Sequence, residues 1–196
     1  MSLLIDPAAQ DLLFREARTA NTFTEEPVSD AQLEAVYDLV KYGPTAFNAN
    51  PLRIVVIRTP EARERLLAHM AEGNRHKTAS APLVAILATD HEFHAELPHL
   101  VPHAPDLKDA YFSERPVREE AAALNGALQA AYFLIGIRAA GLTAGPMTGY
   151  DADGLRKEFL DDDHAPLMVV NIGRPGPDAW FPRLPRLTYE QVVSTL

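Results

Sequence analysis

Cations and amides recur at what read as element boundaries of an acidic chain. Arg18, Thr19 and Asn21 stand in RTANTF, and Asn48, Asn50 and Arg53 in PTAFNANPLR. Asn74 and Lys77 stand in GNRHKT, GPMTG spans Gly145 to Gly149, and Arg183 and Arg186 stand in RLPRL. A guanidinium presents paired N–H donors that match a phosphate. A carboxamide offers a donor and an acceptor side by side, which suits a heterocycle with alternating C=O and N–H edges. Each residue alone has a plain structural use, because boundary Asn residues form turns and boundary cations cover helix carbonyls. Together they suggest a ligand with an anionic end and a polar ring.

Other chemistry is missing. The chain has no cysteine, which removes disulfides, thiolate catalysis and Cys-held metals. No stretch matches the dinucleotide fingerprint G-x-G-x-x-G or the P-loop, and no G-x-S-x-G marks a hydrolase nucleophile. Gly141, Gly145 and Gly149 have the spacing of a membrane dimer motif, but Pro146 interrupts them. His91, His94, His99 and His103, with Asp90 and Glu92 beside them, raise the question of a metal. The prolines among them read instead as a solvated, broken segment, and no metal is expected.

The elements that must position these groups are punctuated clearly. Asp6 caps a helix with Pro7 at its first position, expected to run to about Arg18. SDAQ (29–32) is a capping box, followed by Leu33, Val36, Tyr37 and Val40 on one inward face, with Gly43 as the stop. Thr59-Pro60-Glu61 opens a helix expected to end near Gly73, with Asn74 and Lys77 beyond it. RIVVIR (53–58), PLVAILATD (82–90) and PLMVVNIG (166–173) read as strands. The last two are nearly continuous in apolar residues, which fits a sheet covered on both faces. Residues 117–140 form the longest helix, apolar on nearly every side in its second half and expected to be buried centrally. Gly141 closes that helix, and GPMTG reads as a tight turn after a short strand. The Pro- and His-bearing stretch 91–116 reads as a lid, and 174–187 as an extended arm before a short helix capped by Thr188 and Gln191.

The chain has 196 residues, which suits one domain, spanning 1–196. Its net charge of −9 argues against nucleic acid and anionic membrane as partners. No apolar run is long enough to span a membrane, and the N-terminus is too polar for a signal peptide, so a cytoplasmic location is expected.

Taken in order, the motifs resemble those of the nitroreductase family. RTANTF is similar to its Arg-Ser-x-Arg-x-Phe opening, PTAFNANPL to its Pro-Ser-x-x-Asn-x-Gln-Pro-Trp turn, Asn74 and Lys77 to its Asn-x-x-Lys pair, and PMTGY to its Pro-Met-x-Gly-Phe turn. The terminal basic pair corresponds to Arg183 and Arg186. Asn21 stands where a second cation is usual, Asn50 for Gln and Leu52 for Trp. Within the family, KYGPTAFNANPLRIV, GNRHKTASAPLVAI and RLPRL look like the malonic semialdehyde reductase branch of bacterial pyrimidine degradation.

The resemblance implies an α+β fold: a three-layer α-β-α sandwich around a mostly antiparallel sheet, with a C-terminal arm exchanged in a homodimer. It implies FMN at the dimer interface and NAD(P)H as co-substrate, in ping-pong hydride transfer. Residues implied at the flavin are Arg18, Thr19, Asn21, Pro44, Thr45, Ala46, Asn48, Asn74, Lys77, Pro146, Met147, Thr148, Gly149, Arg183 and Arg186. Asn48 and Arg53 are implied on the substrate side. Arg53, Arg115 or Arg118 would hold a substrate carboxylate, and Phe93, Tyr111 and Phe112 would line the lid. A general nitroreductase or quinone reductase, or a flavin-binding protein without turnover, shares the same motifs.

Overall fold

Caps and turns set the boundaries in the computed structural model, which describes residues 3–196. The first two residues of the stretch read above for a signal peptide lie outside it. The elements are α1 (Pro7–Gln10), a π-helical turn (Asp11–Arg15), α2 (Asp30–Val40), a 3-10 turn (Ala46–Asn48), β1 (Leu52–Ile57), α3 (Pro60–His69) and α4 (Glu72–Ser80). After them come β2 (Leu83–Asp90), α5 (Leu97–Leu100), α6 (Leu107–Tyr111), α7 (Arg115–Ala139), β3 (Thr143–Met147), α8 (Ala152–Phe159), β4 (His164–Gly173) and α9 (Tyr189–Val192).

The side chains of Asp6, Ser29 and Thr59 cap α1, α2 and α3 as the sequence predicts, and Thr188 with Gln191 closes a capping box on α9. Three boundaries and one side-chain direction differ. The first helix gives way to the π turn and stops at Arg15, not Arg18. The helix opened by Pro60 ends at His69 because Met70 turns extended, and Asn74 and Lys77 lie inside a separate helix, α4. Gly145, Pro146 and Met147 are strand residues, so only Thr148 and Gly149 belong to the turn. Tyr37 faces solvent, leaving Val36 as the fully buried residue of α2.

The sheet has the order β1-β2-β4-β3, and every neighbouring pair is antiparallel. Strand periodicity divides its side chains between two faces. Leu83, Ala85 and Leu87 of β2 pack with Phe133 and Ile137 of α7 and Val36 of α2. Val84 and Ile86 pack with Leu66 of α3 and Leu155 of α8. The result is a helix layer on each side of one sheet, and all eight residues of β2 are buried. Pro146 sits on an edge strand, where its missing N–H costs the ladder nothing.

One face of α7 is buried against the sheet, but its second half is not covered all round. Leu124, Leu128 and Tyr132 are 65%, 43% and 41% exposed along a second stripe at i, i+4 and i+8. Gly136 lets α2 pack close, because a Cβ there would meet Val36 and Val40. Residues 91–116 build a small core with Ala49 of the turn and Ala122 of α7, in which Phe93 and Phe112 are buried. Residues after Gly173 run extended, with Phe181, Leu184 and Leu187 exposed. Among the described residues no helix is long and apolar enough to cross a membrane.

Candidate functional site

The backbone following the π turn runs beside β3. The Ala20 amide donates to the Ala144 carbonyl at 3.3 Å, and the Ala20 carbonyl lies only 2.9 Å from where a Cβ on Gly145 would stand. Glycine is required for that approach. The extended C-terminal arm returns to the same place: the Asn21 amide donates to the Ala179 carbonyl at 3.0 Å, and Arg183 donates to the carbonyls of Arg15 and Ala17. These contacts gather Arg18, Thr19, Asn21, Arg183 and Arg186 around one pocket of about 240 Å³.

The charge in this pocket is poorly balanced. Arg18 has Glu16 at 3.5 Å. Arg183 and Arg186 donate to backbone carbonyls and have no carboxylate partner among the described residues. Burial, then the nearby charge of Arg183, lowers the pKa of Arg138. Converging guanidiniums in an acidic chain make a natural seat for a phosphate.

A second group sits at the end of β3. Asn74 of α4 donates its side-chain amide to the Gly149 carbonyl at 3.0 Å, and the Ala71 amide donates to the same oxygen at 3.0 Å. Thr78 lies against Met147, with its hydroxyl 3.8 Å from the sulfur. Lys77 stands one helical turn from Asn74, half-buried and without a carboxylate within ion-pair distance among the described residues. The Cβ directions of Gly145 and Gly149 are both taken up by protein atoms, Ala20 and Asn74. Their smallness therefore serves internal packing as well as any approach to a ligand.

The turn of residues 44–53 forms the third group. Phe47, Asn48 and Asn50 all have left-handed backbones, with φ of 55°, 52° and 46°. Asn48 donates its side-chain amide to the Leu100 carbonyl at 3.1 Å, so it is tied to the 91–116 segment. Phe47 stacks against Tyr111 and Phe112, with ring centres 5.3 and 5.8 Å apart. Of the aromatic residues suggested for a lid lining, Tyr111 is exposed, whereas Phe93 and Phe112 are core. Beside the turn, between α2 and the free edge of β1, lies a larger cleft of about 810 Å³ lined by Tyr37, Tyr42, Asn50, Leu52, Arg53 and Phe133.

The first two groups share β3, but the third does not. β1 and β3 are opposite edges of the sheet, three strand spacings or roughly 14 Å apart. Pro44, Thr45, Ala46 and Asn48 are thus separated from Asn74 and Gly149 within one chain. The three arginines offered for a substrate carboxylate are already paired. Arg53 meets Asp90 at 2.6 Å, and Arg115 meets Glu119 and Asp163, both at 2.8 Å. Arg118, nearly buried, meets Glu92 at 2.7 Å and donates to the carbonyls of His91, Phe112 and Ser113. No motif marks Asn125 or Gln129, yet both hold the 44–52 turn. Their i, i+4 spacing within the otherwise apolar stretch 121–137 was the available signal. Among the described residues no three His, Asp or Glu side chains gather as a metal would require.

This arrangement has close relatives. The Nitroreductase family model matches residues 14–174. A Streptomyces coelicolor protein named "Putative NADH dehydrogenase/NAD(P)H nitroreductase" is 78% identical over 196 residues, covering 100% of both chains. A Stenotrophomonas maltophilia protein of the same name is 44% identical, covering 98% of each chain. In fold, the structure of an Exiguobacterium sibiricum protein named "putative nitroreductase in complex with FMN" superposes with a TM-score of 0.86 at 17% identity, covering 100% of this chain and 99% of the other. With the family match extending from the π turn through the end of β4, the chain belongs to the Nitroreductase family.

Proposed function

We propose that this protein is an FMN-dependent NAD(P)H oxidoreductase that works as a homodimer in the cytoplasm. The observation that carries the reading is the convergence of Arg18, Thr19, Asn21, Arg183 and Arg186 on one pocket beside β3, with Asn74, Lys77 and Gly149 at the strand's end. The donor set fits the group: three guanidiniums for the phosphate, and amides with one ammonium for the ring. When bound, FMN would supply two-electron transfer between NAD(P)H and an acceptor. Lys77 would favour negative charge on the ring, and Asn74, held by Gly149, would present its amide at a fixed place. Pro146, Met147 and Thr148 would form the wall at the end of β3.

A second copy completes this site. The 44–53 turn lies on the opposite sheet edge from Asn74 and Gly149, so Pro44, Thr45, Ala46 and Asn48 would approach the cofactor of the partner subunit. The uncovered stripe of Leu124, Leu128 and Tyr132, the apolar arm after Trp180 and the cleft beside β1 support such a pairing. In this reading residues 91–116 are a lid on a single domain of 1–196, and 174–196 is the exchanged arm.

The acceptor divides two readings. Arg53, Arg115 and Arg118 each have a carboxylate partner, which favours an uncharged acceptor such as a nitroaromatic or a quinone. Malonic semialdehyde rests on the similarity of GNRHKTASAPLVAI and RLPRL to that branch. The test is the visible spectrum of the purified protein, then anaerobic NADPH, then each acceptor. Yellow colour, bleaching, and recovery with the quinone but not the aldehyde supports the first reading; recovery with the aldehyde supports the second. Colour without bleaching leaves a flavin-binding protein without turnover. A colourless protein that takes up no FMN ends the proposal.

A further inference from the structure

The 44–52 turn is held in part from within: the Asn48 amide donates to the Thr45 carbonyl and the Ala49 amide to the Ala46 carbonyl, both at 3.1 Å, and the Asn50 amide donates to the Thr45 hydroxyl at 3.4 Å. Three residues with side chains in the left-handed region within four positions cost about 1 kcal/mol or more each. Against that cost the internal bonds are reinforced from outside the turn by α7. The Ala46 amide donates to the Asn125 side-chain oxygen at 2.7 Å, and the Leu52 amide donates to the Gln129 side-chain oxygen at 2.9 Å. These two bonds grip the turn at both ends. Asn125 is 3% exposed, and its own amide is satisfied by the Ala121 carbonyl at 2.8 Å. Gln129 donates its amide to the Asn50 side-chain oxygen at 3.0 Å. Asn50 in turn donates to the Asn48 carbonyl at 2.7 Å, and Asn48 donates to the Leu100 carbonyl at 3.1 Å.

We infer that Asn125 and Gln129 are positioning residues: they preset the left-handed turn so that Asn48 and Asn50 are held ready before any ligand arrives. The inference rests on the reading above, in which this turn faces the cofactor of the partner subunit. A polar pair four residues apart on the inner side of a helix costs stability unless its polar groups find partners, and here each oxygen accepts one bond and each amide donates one. Their partners are backbone amides that no other side chain serves. A preset turn lowers the ordering cost of binding. A loose one would sample right-handed backbone and withdraw Asn48 from Leu100.

The test compares the wild type with Gln129→Met, Gln129→Glu, Asn50→Ala and the double Gln129→Met/Asn50→Ala variant. Amide hydrogen exchange is read on the protein without FMN, and FMN affinity and acceptor KM on the loaded dimer. Gln129→Met should speed exchange of the Leu52 amide about tenfold, the loss expected for one buried hydrogen bond, with the rest of α7 unchanged. It should weaken FMN binding or raise the acceptor KM about tenfold. Gln129→Glu keeps the acceptor for Leu52 and should recover that amide's protection. The double variant should be no worse for FMN than the more severe single variant, because both cut one chain of bonds. Unchanged exchange at 44–52, or faster exchange spread over the whole molecule, overturns the inference. Loosening of the turn with FMN affinity and KM unchanged also overturns it. A wild type that binds no FMN, with the turn nonetheless protected, instead removes the functional reading beneath it.

Discussion

The side-chain amide of Asn74 donates to the carbonyl of Gly149 at 3.0 Å, and a Cβ on Gly149 would lie 2.7 Å from that same nitrogen. Helix α4 and the turn after β3 are thus in contact at a position where an added Cβ would force the Asn74 amide to move. Gly149→Ala should displace Asn74 and cost about 1–3 kcal/mol, as overpacking does. It should also weaken FMN binding. Gly73→Ala on the same helix is the control: nothing lies within 4 Å of its Cβ position. That change should be neutral or stabilise by up to about 1 kcal/mol. Urea unfolding of both variants, with FMN titration, checks the pair.

Arg183 and Arg186 serve the phosphate in the proposed site. Arg183→Ala should therefore weaken FMN by about tenfold or more, the scale of one charge-assisted hydrogen bond, and leave riboflavin binding nearly unchanged. Raising the salt concentration should narrow the gap between wild type and variant. Fluorescence titration with both flavins reads the difference, and equal losses for the two would remove the phosphate from this pocket.

His91 joins β2 to the 91–116 segment. Its ring is nearly buried, with Nδ1 3.7 Å from Glu119 and no hydrogen bond at that nitrogen. Burial lowers its pKa, Glu119 and Asp90 oppose the shift, and Arg115 and His164 add to it. The Arg118 guanidinium is bonded to the His91 carbonyl. Since the native pKa lies below the ordinary value of about 6.5, the unfolded chain binds more protons between the two. The stability from a neutral His91 is present in full above about pH 6.5 and declines as pH falls toward the native pKa. The Tm of wild type should drop more between pH 7.5 and 5.5 than that of His91→Gln, by calorimetry at matched salt.

Leu124, Leu128 and Tyr132 line one exposed face of α7. If a second copy covers them, Leu128→Glu should convert the dimer to monomer in sedimentation experiments. It should also reduce FMN retention, since the turn from the partner subunit is lost with the partner. The isolated fold should survive, because Leu128 makes no part of the buried cores.

Local chemistry was readable directly from the chain. Asp6-Pro7, the box from Ser29 to Gln32, Thr59-Pro60 and Gly141 act within one turn of backbone, and each does what its residue type requires. The unbroken apolar run of β2 announced a strand covered on both sides. The motif order from Arg18 to Gly149 carried the family. Competition between elements was not readable. Nothing local told that the helix after Pro60 would break at Met70 and restart, placing Asn74 and Lys77 on α4, or that Pro146 would sit inside an edge strand. The placing of Arg18 and Arg183 on one pocket, the pairing of Arg53 with Asp90 and the grip of Gln129 on Leu52 bring together residues 165, 37 and 77 positions apart. Side-chain type sets what each can bond, and backbone topology alone decides which partner comes within reach.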